Sequence, residues 1–123
     1  MKFMMTTFGD EEIYNAESFT DEQREWLRGI VEFMTEFNTE LEAAGELVTA
    51  EGLAAPSQAK TIRPHGDDVI TTDGPFAEAK EYLAGFWIID VASEERAAEL
   101  AAKVVRFVHA PIEIRPIGEA PEV

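Results

Sequence analysis

Asp73, Glu78 and Lys80 place two carboxylates and an ammonium within the stretch Asp73-Gly74-Pro75-Phe76-Ala77-Glu78-Ala79-Lys80-Glu81. A carboxylate and an ammonium held together at a pocket rim bind a polar substrate or exchange a proton. Lyase- or isomerase-like acid–base chemistry is the reaction class such a stretch would serve. A structural reading of the same residues stands beside it. Gly74 can take a positive φ, Pro75 suits the first position of a helical turn, and Asp73 can cap the amides that follow. Phe76 would then be a core plug. A second set is Glu51, next to Gly52, with Arg115, whose guanidinium grips anionic or carbonyl groups in a fixed fork geometry. Glu113 shares a strand face with Arg115, so the alternative for these three is a network of ion pairs across strands. Phe76 and Trp87 are the candidate apolar walls of a ligand cleft.

Other chemistries lack their residues. The chain has no cysteine, which excludes thiolate nucleophiles, disulfides and cysteine-based zinc sites. His65 falls in a Pro-His-Gly turn and His109 at the expected end of a helix, too far apart in sequence for a metal-ligand spacing. The acidic runs Asp10-Glu11-Glu12 and Asp67-Asp68 match no calcium loop and read as solvated surface. No Gly-rich phosphate loop or Gly-x-Ser-x-Gly elbow is present, so no metal or cofactor is expected. The 123 residues carry 25 acidic and 10 basic side chains, a formal charge of −15. That balance excludes a nucleic-acid binder and disfavours an anionic membrane surface. The expectation is one cytoplasmic domain over residues 1–123, without a membrane span or signal peptide.

The elements that must position these residues follow from hydrophobic periodicity. Residues 2–8 read as a strand and residues 9–18 as an acidic loop. A helix starts after Thr20, whose spacing to Gln23 is that of a capping box. Leu27, Ile30, Val31, Met34, Phe37, Leu41 and Ala44 make its apolar stripe, and Gly45 suits its C-terminal cap. A strand over 46–54 precedes a hairpin of 59–63 and 68–72 around Pro64-His65-Gly66-Asp67. The Asp73–Glu81 stretch then runs into a short helical segment. Residues 85–91 are the most apolar strand, Ser93 caps a second helix, and 112–117 form the last strand. The order β-α-β-(ββ)-β-α-β predicts an α+β ferredoxin-like sandwich with an inserted β-hairpin. Trp87, Ile89 and Val91 alternate with Phe86 and Ile88, so both faces of the central strand are apolar. Helices cover one face, and a homodimer closing sheet on sheet would cover the other.

The Asp73-to-Glu81 stretch resembles the signature of the YCII-related family, in its DGPF-domain branch. Gly45-Glu46-Leu47, Glu51-Gly52-Leu53, Thr72, Gly85-Phe86 and Ile112-Glu113-Ile114-Arg115-Pro116-Ile117 are similar to further landmarks of that family, in the same order. The resemblance implies a dimeric α/β-barrel arrangement, bacterial origin and an association with extracytoplasmic-function sigma factors. Some relatives carry a His–Asp pair near the chain start as an acid–base dyad. Residues 1–64 here contain no histidine, so that dyad is not carried over.

Three functions compete at this point. The first is a homodimer binding a small organic molecule, with Asp73, Glu78 and Lys80 as acid–base groups and Glu51, Phe76, Trp87 and Arg115 as ligand contacts. The second is a regulatory module that docks a basic partner, such as a sigma factor, on the acidic first helix through Glu32, Glu36 and Glu40. The third is a structural dimer without a ligand. Fold alone does not choose among them.

Overall fold

The structure is a computed structural model that describes residues 1–9, 14–76, 81–119 and 121. Strand β1 (Lys2–Gly9) leads to helix α1 (Asp21–Ala43) and strand β2 (Leu47–Gly52). Strands β3 (Lys60–His65) and β4 (Asp68–Asp73) follow, then β5 (Tyr82–Asp90), helix α2 (Glu94–Val108) and β6 (Ile112–Pro116). Four strands form one antiparallel sheet in the order β2-β5-β1-β6, and β3 and β4 pair only with each other. This is the ferredoxin-like α+β arrangement, with the hairpin inserted between β2 and β5.

The helix boundaries have local causes. Gln23 N–H donates to Thr20 Oγ1 at 3.1 Å and Thr20 N–H donates to Gln23 Oε1 at 2.8 Å, closing the capping box. Gly45 follows with φ 72°, the left-handed conformation that lets the chain leave α1. Ser93 Oγ accepts from Arg96 N–H at 3.1 Å at the start of α2. His109 ends that helix in the left-handed region, φ 55°.

Alternation along the strands separates the two sheet faces. Phe3, Met5, Trp87, Ile89 and Val91 are buried against Phe37 and Leu41 of α1 and Ala97, Leu100, Ala101 and Val104 of α2. The opposite face carries Met4 opposite Ile88 and Thr6 opposite Phe86 at its centre. Thr49 and Glu51 of β2 border them on one side, and Glu113 and Arg115 of β6 on the other. No helix among the described residues covers this second face.

Several expectations shift. The stripe of α1 is not buried along its length: only Phe37 and Leu41 are buried, while Leu27 and Val31 are 38% and 58% exposed. A 23-residue helix is about 34 Å long, against about 20 Å for the six-residue β2 beside it, and its buried residues fall in its second half. The hairpin is tighter than expected. Its loop is Gly66-Asp67 alone, with Pro64 and His65 inside β3 opposite Val69 and Asp68. Gly66 supplies the positive φ (62°) that a two-residue hairpin loop requires. Pro64 is tolerated because this ribbon has only edges. β2 is shorter than the expected 46–54, and β5 begins three residues before residue 85. The short helical segment expected before residue 81 falls mostly on 77–80, outside the described residues. No described helix is long and apolar enough to cross a membrane.

Candidate functional site

β2 and β5 run side by side with Gly52 opposite Gly85 and Ala50 opposite Trp87. Both glycines belong to the helix-facing side, and α1 passes over them with Met34 and Asn38. The missing side chains leave a cavity of about 260 Å³ between helix and strands, bordered by Thr7, Met34, Asn38, Ala50, Glu51, Gly52, Ala84, Gly85, Phe86 and Trp87.

The two glycines are there for different reasons. A Cβ on Gly85 would sit 2.9 Å from the Glu51 carbonyl oxygen, so the close approach of β2 forbids a side chain. A Cβ on Gly52 would meet nothing within 4 Å, and its φ is not positive. Gly52 therefore leaves room that packing does not demand.

Trp87 is held from two sides. Its ring packs edge-on against Phe37, with centroids 5.8 Å apart, and Phe37, Phe33 and Phe107 continue as a stacked series into α2. Its indole N–H donates to Asn38 Oδ1 at 2.7 Å. Thr7 Oγ1 donates to the Gly85 carbonyl at 3.2 Å. The cavity thus offers an aromatic wall, a thioether, a hydroxyl and a side-chain amide. Glu51 borders it, but its carboxylate accepts from Thr49 Oγ1, two residues back and therefore on the open sheet face (3.2 Å). Among the described residues no Lys or Arg side chain lines it. Neutral polar contacts are what these walls can make.

The predicted site residues are brought together only in part. Glu51 and Trp87 border the same cavity. Arg115 lies on the far edge strand, three strand spacings (about 14 Å) from β2, and pairs with Glu113 at 2.7 Å. Asp73 ends β4, exposed, and its carboxylate accepts from Lys60 Nζ on the adjacent strand. Phe76 is not a core plug; it is 63% exposed, and Arg63 lies over its ring 5.4 Å from the centroid. Gly74, at φ 95°, turns the chain off the hairpin just before it, which carries the ring away from the core. Phe76 instead borders a separate space of about 440 Å³ with Leu53, Pro56, Pro75, Tyr82 and Leu83. Glu78 and Lys80 lie outside the described residues.

The comparisons with known proteins bear on the whole fold. The YCII-related domain matches residues 1–120. The chain belongs to the YCII-related family. An uncharacterised protein of Rhizobium meliloti (strain 1021) is 31% identical over 101 residues, 82% of this chain and 77% of that relative. Membership of the YCII-related family agrees with the ferredoxin-like topology and leaves the chemistry to be argued from the site.

Two features escaped the sequence reading. Asn38 had a usable signal: a poor helix former placed one turn after Met34, on the inward side of an amphipathic helix. Glu46 had none, because its partner Arg96 is 50 positions away. Arg96 grips Glu46 with two hydrogen bonds, 2.9 Å from Nε and 2.7 Å from Nη2. The guanidinium holds the Glu46 carboxyl below the usual carboxylate range, and the pairing in turn raises Arg96. Its Nη1 also reaches Glu99 at 3.2 Å. This cluster ties the start of β2 to the first turn of α2. Among the described residues no cluster of three or more His, Asp or Glu side chains could hold a metal ion.

Proposed function

We propose that this YCII-related protein is a cytoplasmic homodimer that binds a small, largely neutral organic molecule between α1 and the Gly52–Gly85 pair. The cavity carries the reading: about 260 Å³ walled by Trp87 and Met34, with Thr7 and Asn38 as polar contacts. Apolar walls with a few convergent polar groups are the usual make-up of small-molecule sites. Trp87 is its ligand contact; Glu51 borders it with its carboxylate on the open sheet face, and Phe76 and Arg115 would contribute only through the partner of the proposed dimer. The dimer rests on the open sheet face, where Met4, Phe86 and Ile88 form an apolar centre between polar edges. Binding is favoured over acid–base turnover, because Asp73 sits on the hairpin engaged with Lys60. Catalysis by Asp73 with Glu78 and Lys80 is the second reading, carried by the family signature and not by the cavity. The regulatory alternative draws on exposed Glu32 and Glu36, although Glu40 is already engaged with Lys103.

The test is a thermal-shift screen of small neutral and aromatic molecules against wild type, Gly52→Leu and Asp73→Ala. A ligand at a hundred times its Kd adds about 2.7 kcal/mol to stability. The expected hit stabilises wild type and Asp73→Ala and is lost in a folded Gly52→Leu, whose new side chain fills the cavity. A hit that survives Gly52→Leu but disappears in Asp73→Ala moves the site to the hairpin and overturns the assignment.

A further inference from the structure

The hydrogen bonds around the cavity leave one donor group and one acceptor unmatched. An indole N–H only donates, so the amide oxygen of Asn38 is the atom turned to Trp87, and the Asn38 amide nitrogen keeps its two hydrogens. Among the described residues that nitrogen has no hydrogen-bond partner. On β1 the case is reversed. A carbonyl only accepts, so Thr7 Oγ1 gives its hydrogen to the Gly85 carbonyl at 3.2 Å and keeps its lone pairs. Among the described residues no group donates to them. Both side chains are half-buried, and both border the cavity.

The surface that goes with these two groups is flat and apolar. Ala50, Gly52 and Gly85 put nothing larger than a methyl group on the helix-facing side of the strands, while Met34 and Trp87 supply the bulk. Strand β5 also bulges here. Thr7 pairs with Gly85 but Phe8 pairs with Leu83, which leaves Ala84 as the extra residue, a device common beside active sites. At about 260 Å³ the cavity exceeds the roughly 150 Å³ that holds benzene in an engineered protein core, so one ring with a small substituent fits.

We infer that the ligand is a neutral aromatic carboxamide, its carbonyl accepting from the Asn38 amide nitrogen, its N–H donating to Thr7 Oγ1, and its ring against Met34 and Trp87. The inference rests on the cavity reading above and adds the functional group. One planar amide carries both complementary groups, whereas a ketone answers Asn38 alone. A carboxylate offers acceptors without a donor and brings a charge that no cation among the described lining residues meets.

Benzamide, acetophenone and benzoate share one shape and differ in a single group: amino, methyl or oxyanion. Each is titrated into isotope-labelled protein, with the Trp87 indole N–H resonance reading the site and that of Trp26, 57% exposed on α1, as reference. Benzamide is expected to move the Trp87 signal and to bind about fivefold more tightly than acetophenone, and benzoate is expected not to bind. Thr7→Val removes the acceptor, so benzamide falls to the affinity of acetophenone, whose own binding is unchanged. Asn38→Asp still accepts from the indole but has no amide donor, and both carbonyl ligands weaken about tenfold. Native-like spectra of the two variants show that each is folded. Equal affinity of benzamide and acetophenone, unchanged affinities in both variants, preferred binding of benzoate, or no binding of benzamide overturns the amide assignment. If the ligands that bind wild type are lost in a folded Gly52→Leu, the cavity reading stands and only the amide class fails. If they survive Gly52→Leu, the cavity reading fails with it. If none of the three binds, the amide class fails and the thermal-shift screen decides the cavity by itself.

Discussion

The four-stranded sheet and the β3–β4 hairpin are made of the same kind of backbone and are held by different forces. Within the sheet, Phe3, Met5, Trp87 and Ile89 lie at or below 6% exposure under two helices. In the hairpin only Thr61 is buried, and Ile62 and Val69 are 65% and 62% exposed. The sheet is stabilised by apolar area removed from water and by the ring series from Phe107 to Trp87. The hairpin has its own ladder, a Gly66 turn, the Lys60–Asp73 pair and Thr61 Oγ1 donating to the Gly74 carbonyl at 2.8 Å. A two-stranded ribbon with no covered face is marginal in water. The candidate cavity sits in the stable region, and Asp73, the described member of the residues first singled out for acid–base chemistry, belongs to the marginal one.

The contrast breaks hardest at the ring series. Phe37→Ala removes a side chain 1% exposed that touches Phe33 and Trp87, and is expected to cost about 3–5 kcal/mol by urea unfolding. A loss below about 1 kcal/mol would mean the series adds little to the core.

The Glu46–Arg96 pair gives a smaller effect with a pH signature. Glu46→Gln keeps the shape and removes the charge, and is expected to cost about 1–2 kcal/mol at neutral pH, discounted for the partly exposed Arg96. The folded-state pKa of Glu46 is depressed, so its contribution is present above the unfolded-state value near 4.5 and is lost as pH falls through the lower folded value. Unfolding curves of wild type and Glu46→Gln should therefore converge between about pH 4.5 and the folded value. Parallel curves down to that region would sever the pair from stability.

The smallest change belongs to the hairpin. Ile62→Ser is expected to move global stability by no more than about 0.5 kcal/mol. Amide hydrogen exchange should show β3 and β4 opening far more readily than β1 and β5. Protection of β3 and β4 equal to that of β5 would reveal a partner covering the ribbon.

Much of this architecture was legible in the residues. Thr20 with Gln23, Ser93 with the Arg96 amide, Gly45 and the β5 alternation are all local signals, since caps, turns and periodicities act over a few positions. The ferredoxin-like order followed from them. The hairpin was legible as an element, but not its two-residue loop, because Pro64 and His65 look like turn residues until paired across to Val69 and Asp68. The site was less legible. Glu51 and Trp87 were named, whereas Thr7, Met34 and Asn38 were not, since each comes from an element whose position depends on packing.

The sequence by itself determined the order of helices and strands, where the helices are capped, which strand is central, and that the chain is strongly acidic. Tertiary structure decided that the α1 stripe is buried only at Phe37 and Leu41, which leaves Leu27 and Val31 exposed. It decided that Gly52 meets Gly85, opening a cavity beneath α1, and that Arg96 reaches Glu46. It also left Asp73 on an exposed ribbon. The physical reason is range: capping and periodicity are satisfied within one or two turns of chain. Cavities and ion pairs of this kind depend on side chains that meet only when distant segments pack.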